Sequence, residues 1–272
     1  MKFIKYLFVF VTIIALGISM WIYYPQYQIH RMKKHTVEAS ADTARVSYIN
    51  YFRNSKASQI NHLAIGDSVI RGVGAGQNED LGDQFSNHLG LQIHKHILFQ
   101  NEGINGITSS KLMALVQKGR FDEEIKKADI VTINVGGNDI LQSVKNQNFQ
   151  NILQTFDQLQ SNFSKNLTGI TSRIKMLNPN ATIVFLELYN PLNPADKMYP
   201  LADNLLPNWN LKIYEVANQS PSSIVVETTK VINGKNQQNL SSDGVHPNSA
   251  GYAAISEQMI AQFKHQYRKK AV

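Results

Sequence analysis

"HLAIGDSVIRGVGAG" (His62–Gly76) changes character within a few residues. The apolar run Leu63–Ile65 stops at Gly66, Asp67 and Ser68 follow, and glycines recur at 72, 74 and 76. A short buried strand ending in a turn fits this texture. Taken alone, Gly-Asp-Ser suits either a reactive serine at a strand end or a plain helix cap.

Further along the chain the same texture repeats. Strand-like runs occur at "HILFQN" (96–101), "DIVTINVG" (129–136), "ATIVFLELY" (181–189) and "SIVVET" (223–228). Between them, helical spacing covers 83–93, 109–119, about 148–178 and 203–218. A last helix is expected in "PNSAGYAAISEQMIAQFKHQYRKK" (247–270), with Pro247 in its first turn and basic residues in its last. Short apolar strands alternating with helices predict an α/β protein. The expected architecture is a three-layer α/β/α sandwich around a mainly parallel five-stranded sheet. Such sheets bind ligands at the carboxyl ends of their strands.

Four segments fall after strands or just before the last helix: "GDSV" (66–69), "NEGINGIT" (101–108), "VGGNDI" (135–140) and "SDGVHPN" (242–248). A serine hydroxyl attacks an ester only when a neighbouring imidazole takes its proton. That imidazole needs a carboxylate to fix its tautomer, and the developing oxyanion needs preorganised donors. Asp243 and His246 are three residues apart, with Gly244 permitting a tight turn between them. Gly106 offers bare backbone, and Asn138 offers an uncharged N–H. Separately each has a plain structural use; together they supply nucleophile, base, orienter and two donors.

In this order and at these separations, the four segments resemble the sequence blocks of the SGNH hydrolase superfamily, the GDSL-type esterases and lipases, over roughly residues 60–265. The resemblance implies a flavodoxin-like SGNH fold and a lysophospholipase-like carboxylic ester hydrolase without metal or cofactor. It implies Ser68 as nucleophile, His246 as general base and Asp243 as the carboxylate orienting it. It implies an oxyanion hole of Ser68 N–H, Gly106 N–H and the Asn138 side-chain amide. Many members carry Leu-Thr or Leu-Ser after the serine, where this chain has Val69-Ile70. Asp67 reads as a loop-holding residue. "HKH" (94–96) reads as a solvated face without a third ligand, and "RGVGAG" (71–76) misses dinucleotide-binding spacing. "YNPLNPADKMYP" (189–200) should lie over the active face.

The net charge of +7 is terminal: Lys2, Lys5, Arg31, Lys33 and Lys34 stand at one end, and Lys264, Arg268, Lys269 and Lys270 at the other. No basic groove for nucleic acid is indicated. With no cysteine, disulfides and thiolate chemistry are excluded. "YLFVFVTIIALGISMWIYY" (Tyr6–Tyr24) is apolar over about the thickness of a bilayer. An uncleaved single-pass anchor is therefore expected over 1–30, a tether or short helix spacing the domain from the bilayer over 31–60, and the hydrolase domain over 61–272. The best cleavage-like site, Ala39-Ser40-Ala41, lies far past the apolar core. Flanking positive charges do not choose an orientation, and a signal anchor puts the domain outside the cytoplasm, secreted if the segment is cleaved. The expected substrate is a lipid ester such as a lysophospholipid. An O-acetyl group on envelope carbohydrate, a non-catalytic envelope binding module and a flavodoxin-like nucleotide binder are the alternatives. Oligomeric state is left open.

Overall fold

The computed structural model describes residues 2–38, 45–144 and 149–269. In chain order the strands are β1 (Arg45–Ser47), β2 (Gln59–Gly66), β3 (His96–Gly103), β4 (Ile130–Asn134), β5 (Thr182–Leu186), β6 (Ser223–Val226) and β7 (Tyr267–Lys269). The helices are α1 (Lys2–Glu38), α2 (Tyr48–Arg53), α3 (Ser68–Arg71), α4 (Leu81–Ile93), α5 (Ser109–Gln117), α6 (Asp122–Lys127), α7 (Gly137–Val144), α8 (Phe149–Leu177), α9 (Tyr199–Gln219) and α10 (Ser249–His265).

Five strands form one parallel sheet in the order β3-β2-β4-β5-β6. Successive side chains leave a strand on opposite faces. Leu63, Ile65, Val131, Ile133, Ile183 and Phe185 accordingly pack with α5, α8 and α9. Ile60, Ala64, Ile130, Val184 and Ile224 pack with α2, α4 and α10. Burial on both faces explains why these strands read as continuous apolar runs rather than alternating ones. The three-layer α/β/α fold is therefore the one expected, and each strand run lies at its expected place.

The first 60 residues differ from expectation. Tyr6–Tyr24 lies in α1, and a transmembrane span there is not supported: among the described residues, no helix is long and apolar enough to cross a membrane. The side chains at 7–9, 15, 18 and 21 lie outside the described ones, as does the cleavage-like site Ala39–Ala41. The helix does not stop with the apolar run but continues through polar residues to Glu38. Its second half lies against α9, with Ile29 buried in the core and Lys33 ion-paired to Glu227. Residues 45–60 are not a tether either. Tyr48, Ile49 and Phe52 of α2 are buried, and Phe52 stacks on Phe263 of α10. A hydrophobic triplet in a six-residue helix is enough to fix this segment to the domain.

The C-terminus also departs from the expected long helix. Pro247 stands before α10, whose cap is Asn248, its side chain accepting from Gly251 N at 2.9 Å. Asparagine is a strong cap and displaces the start by two residues. The chain leaves α10 at His265 and returns as β7, antiparallel to β1. There the Arg268 guanidinium sits 3.7 Å from the Tyr51 ring centroid and donates to Thr182 Oγ1 at 2.9 Å.

One buried polar group in the sheet has a consequence for stability. His62 on β2 lies between Ser86 Oγ, 2.9 Å from its Nδ1, and Thr132 Oγ1, 2.8 Å from its Nε2. Burial pushes its pKa down to about 3. The folded chain keeps this ring neutral while the unfolded chain protonates it near pH 6.5, so its contribution is complete above that pH and falls as acid is added. The slope is at most about 1.4 kcal/mol per pH unit from pH 6.5 down toward 3. Denaturant unfolding should therefore show His62→Gln less stable at pH 7.5 but less sensitive to acidification to pH 5 than the parent chain. Parallel pH curves for the two proteins would contradict this.

Candidate active site

The site begins where β2 stops. Gly66 has φ +152°, and a Cβ there would sit 2.0 Å from Asn134 O on β4, so only glycine lets the two strand ends approach. Asp67 N then donates to Asn134 O at 3.0 Å. The Asp67 carboxylate caps α3, its Oδ1 accepting from Val69 N and from Asn134 Nδ2, both at 3.0 Å. Asp67 is buried, and burial lifts its pKa to about 6 against the hydrogen bonds from Asn134 and Val69 and the nearby His246, all of which act downward. Ser68 becomes the first residue of α3, its hydroxyl turned toward the carboxyl edge of the sheet.

His246 arrives there from 178 residues further on. Its Nε2 lies 2.8 Å from Ser68 Oγ, and its Nδ1 lies 2.6 Å from Asp243 Oδ2. A carboxylate at Nδ1 holds the ring proton there, which leaves Nε2 as the acceptor for the serine hydroxyl. The other carboxylate oxygen, Asp243 Oδ1, accepts from Val245 N at 2.8 Å, His246 N at 2.9 Å and Ser241 Oγ at 2.8 Å. Burial acts upward on Asp243, but these donors together with His246 outweigh it and hold the carboxyl well below the usual range. It is thus ionised at neutral pH.

Gly106 and Asn138 complete the expected set, and both line the same cavity as Ser68 and His246. Gly106 has φ +73° with open space where a side chain would point. Asn138 Nδ2 donates to Ile107 O at 3.0 Å, which uses one of its two amide hydrogens and leaves the other. The first turns of α5 and α7 are locked together beside them: Asp139 accepts from Ser109 N at 2.8 Å and from Ser109 Oγ at 2.5 Å, and Asn166 Nδ2 of α8 donates to that same hydroxyl at 2.9 Å. All five expected residues therefore meet at one place. Asn134, Tyr189 and Asp139 join them without having a role assigned by the sequence pattern, although Tyr189 opens the loop expected over the active face. Asn134 was visible as the polar residue ending an otherwise apolar run. Tyr189, whose hydroxyl donates to Val245 O at 3.0 Å and so steadies the loop bearing His246, carries no such mark.

The cavity has a volume of about 620 Å³. Away from Ser68 its walls are mostly apolar, with Ile140 from α7, Phe156 and Leu159 from α8, Leu188 after β5, and Leu205 and Trp209 from α9, while Asn105, Ser143, Asn190 and Asp196 add polar groups. The loop 189–198 reaches it through Tyr189, Leu192 and Met198. His94 and His96 are both exposed, and among the described residues no group of three or more metal-ligating side chains comes together.

A hydroxyl, imidazole and carboxylate in hydrogen-bonded sequence, at the carboxyl edge of a parallel sheet and opening on an apolar cavity, define a carboxylic ester hydrolase of the α/β/α kind. Residues 64–254 match the model of the GDSL-like Lipase/Acylhydrolase family, and the chain belongs to that family. It is 28% identical over 207 residues to the spore germination lipase LipC of Bacillus licheniformis, covering 74% of this chain and 95% of that one. It superposes on the lipase Lip_vut3 from a goat rumen metagenome with a TM-score of 0.66 at 28% identity, covering 75% of this chain and 97% of that one. A variant of Axe2, an acetyl xylan esterase from Geobacillus stearothermophilus, shares the fold at a TM-score of 0.56 and 17% identity over 76% of this chain and 95% of that one.

The Asp67 contacts give a direct test. Asp67→Ala removes the cap and the Asn134 bond, and urea unfolding should show a loss of about 1–2 kcal/mol. Asp67→Asn, which still offers an acceptor oxygen to both donors, should lose less and should react with a fluorophosphonate faster than the alanine variant. Equal losses for the two variants would show that the side-chain acceptor is not what holds this turn.

Proposed function

We propose that the protein hydrolyses lipid esters with medium or long acyl chains, a lysophospholipid being one, through an acyl-enzyme on Ser68. His246 Nε2 takes the hydroxyl proton as Ser68 Oγ bonds to the acyl carbon. Asp243 keeps the ring oriented and stabilises the imidazolium. The negative oxygen of the tetrahedral intermediate sits between Ser68 N–H, Gly106 N–H and the remaining Asn138 amide hydrogen. As the C–O bond breaks, His246 passes its proton to the leaving alcohol. Water, deprotonated by the same imidazole, then releases the fatty acid and restores the serine.

The observation that carries the lipid reading is the 620 Å³ apolar cavity continuous with Ser68. A two-carbon acetyl group fills a small part of it and leaves apolar wall in contact with water. A hydrocarbon chain covers that wall at a gain of roughly 0.8 kcal/mol per buried methylene. This weighs against O-acetyl carbohydrate, although the Axe2 variant of like fold is described as an acetyl xylan esterase. The unbroken Ser68–His246–Asp243 chain weighs against a non-catalytic module. The names of LipC and Lip_vut3 agree with a lipase.

We also place the enzyme at a membrane surface outside the cytoplasm. The support is an apolar segment behind Lys2 and Lys5 and the exposed Phe10, Ile13, Leu16 and Met20 of α1. Fractionation of cells with and without protease added from outside tests this reading.

The acyl-chain profile tests the substrate reading. With p-nitrophenyl esters, kcat/KM should rise from acetyl toward medium chains, and Ser68→Ala should abolish hydrolysis at every length. Leu205→Trp should move the optimum to shorter chains by filling the cavity. An acetyl optimum in the parent enzyme would contradict the lipid reading.

A further inference from the structure

Outside α1, large apolar side chains are well exposed at seven places among the described residues, and four of them surround the mouth of the cavity. Ile104 stands in the loop after β3, beside the cavity residues Asn105 and Gly106. Leu141 lies on α7, Met198 immediately precedes α9, and Val245 immediately precedes His246; all three border the cavity. Their exposures are 38%, 48%, 37% and 37% in that order. The other three, Leu91 on α4, Leu98 on the edge strand β3 and Met176 near the end of α8, lie on separate elements away from the opening. Single exposed apolar residues are ordinary. Four from segments far apart in sequence, converging on one opening, are a surface.

We propose that this rim docks on a lipid surface, so that the cavity opens directly into the acyl region of a bilayer or micelle. The inference rests on the lipid-ester reading and adds the face by which the enzyme meets its substrate. The argument for a lipid occupant is continuity: Leu141, Met198 and Val245 are at once exposed and part of the cavity lining, which they share with Ile140, Leu201 and Leu205. An acyl chain leaving a bilayer for water loses its apolar environment and regains it on entering the cavity. An apolar rim seated in the interface removes the water step between the two. Bringing the four side chains out of water also favours docking itself. This surface is distinct from the exposed apolar residues of α1, which lie on a separate element.

The absence of cysteine makes the contact measurable site by site. In the full chain, Ile104→Cys and Leu141→Cys report from the rim, with Leu98→Cys and Met176→Cys as controls, each bearing an environment-sensitive fluorophore. On vesicles of phosphatidylcholine and phosphatidylglycerol, the two rim sites should shift their emission to the blue and the two controls should not. Ile104→Ser, which alters neither a catalytic group nor the cavity wall, should lower hydrolysis of a vesicle-borne ester about fivefold. It should leave hydrolysis of a water-soluble monomeric ester unchanged. Equal shifts at all four sites, or none at the rim, would overturn the docking surface. A rim shift without vesicles that grows with protein concentration would assign the face to contact between copies instead. Failure of the parent enzyme on the soluble ester would count against the catalytic reading, not against the surface.

Discussion

The close approach of β2 to β4 at Gly66 and Asn134 is the constraint on which the site depends. A side chain at 66 would collide with the Asn134 carbonyl, and without that approach Asp67 N could not reach it. The Gly66 carbonyl in turn accepts from Ile104 N at 2.9 Å, which brings in the chain leaving β3. Three strand ends are thereby joined around one glycine, and Ser68, Gly106 and Asn138 each lie within a few residues of one of those ends. The fourth piece, the Asp243–His246 turn, is positioned from the opposite side by Tyr189 and by α10. Gly-Asp-Ser is thus more than the setting of a reactive serine: its glycine and aspartate hold the strand ends that build the rest of the site.

The charges follow from this packing. Asp67 and Asp243 are both near His246 but lie in different surroundings. Asp67 is buried with two neutral donors, and burial dominates, so its carboxyl titrates near 6. Asp243 is partly open and receives three donors besides the imidazole, so it stays ionised far below neutrality. Only Asp243 is therefore a dependable anion for an imidazolium partner. Asp67 serves as a cap whose geometry matters more than its charge.

Much of this was readable in the residues, for reasons the structure makes explicit. The strands were legible because a parallel sheet covered on both faces needs unbroken apolar runs. The long helices were legible by period, and the five site residues because each follows its own strand or precedes α10. What was not legible is short or cooperative. The six residues of α2 and the three-residue pair β1 and β7 are too brief to show a period, so Tyr48, Ile49 and Phe52 lay hidden in a stretch taken for a tether. Pro247 suits a first helical turn, yet Asn248 makes the stronger cap and α10 begins after it. The apolar run at the N-terminus matched a bilayer in length, but the helix it starts continues into polar residues and packs on the domain. The cavity had no local signature, since α7, α8 and α9 each contribute residues that read individually as ordinary core.

The central claim is that Ser68 carries the acyl group while the chain occupies the cavity of α7, α8 and α9. Its most direct measurement is a crystal structure of the enzyme inactivated by a medium-chain alkyl fluorophosphonate. The account predicts phosphorus bonded to Ser68 Oγ, its negative oxygen facing Gly106 N and Asn138 Nδ2, and the alkyl chain lying against Leu188, Leu205 and Trp209. An adduct on another residue, or an alkyl chain directed away from that cavity, would contradict it.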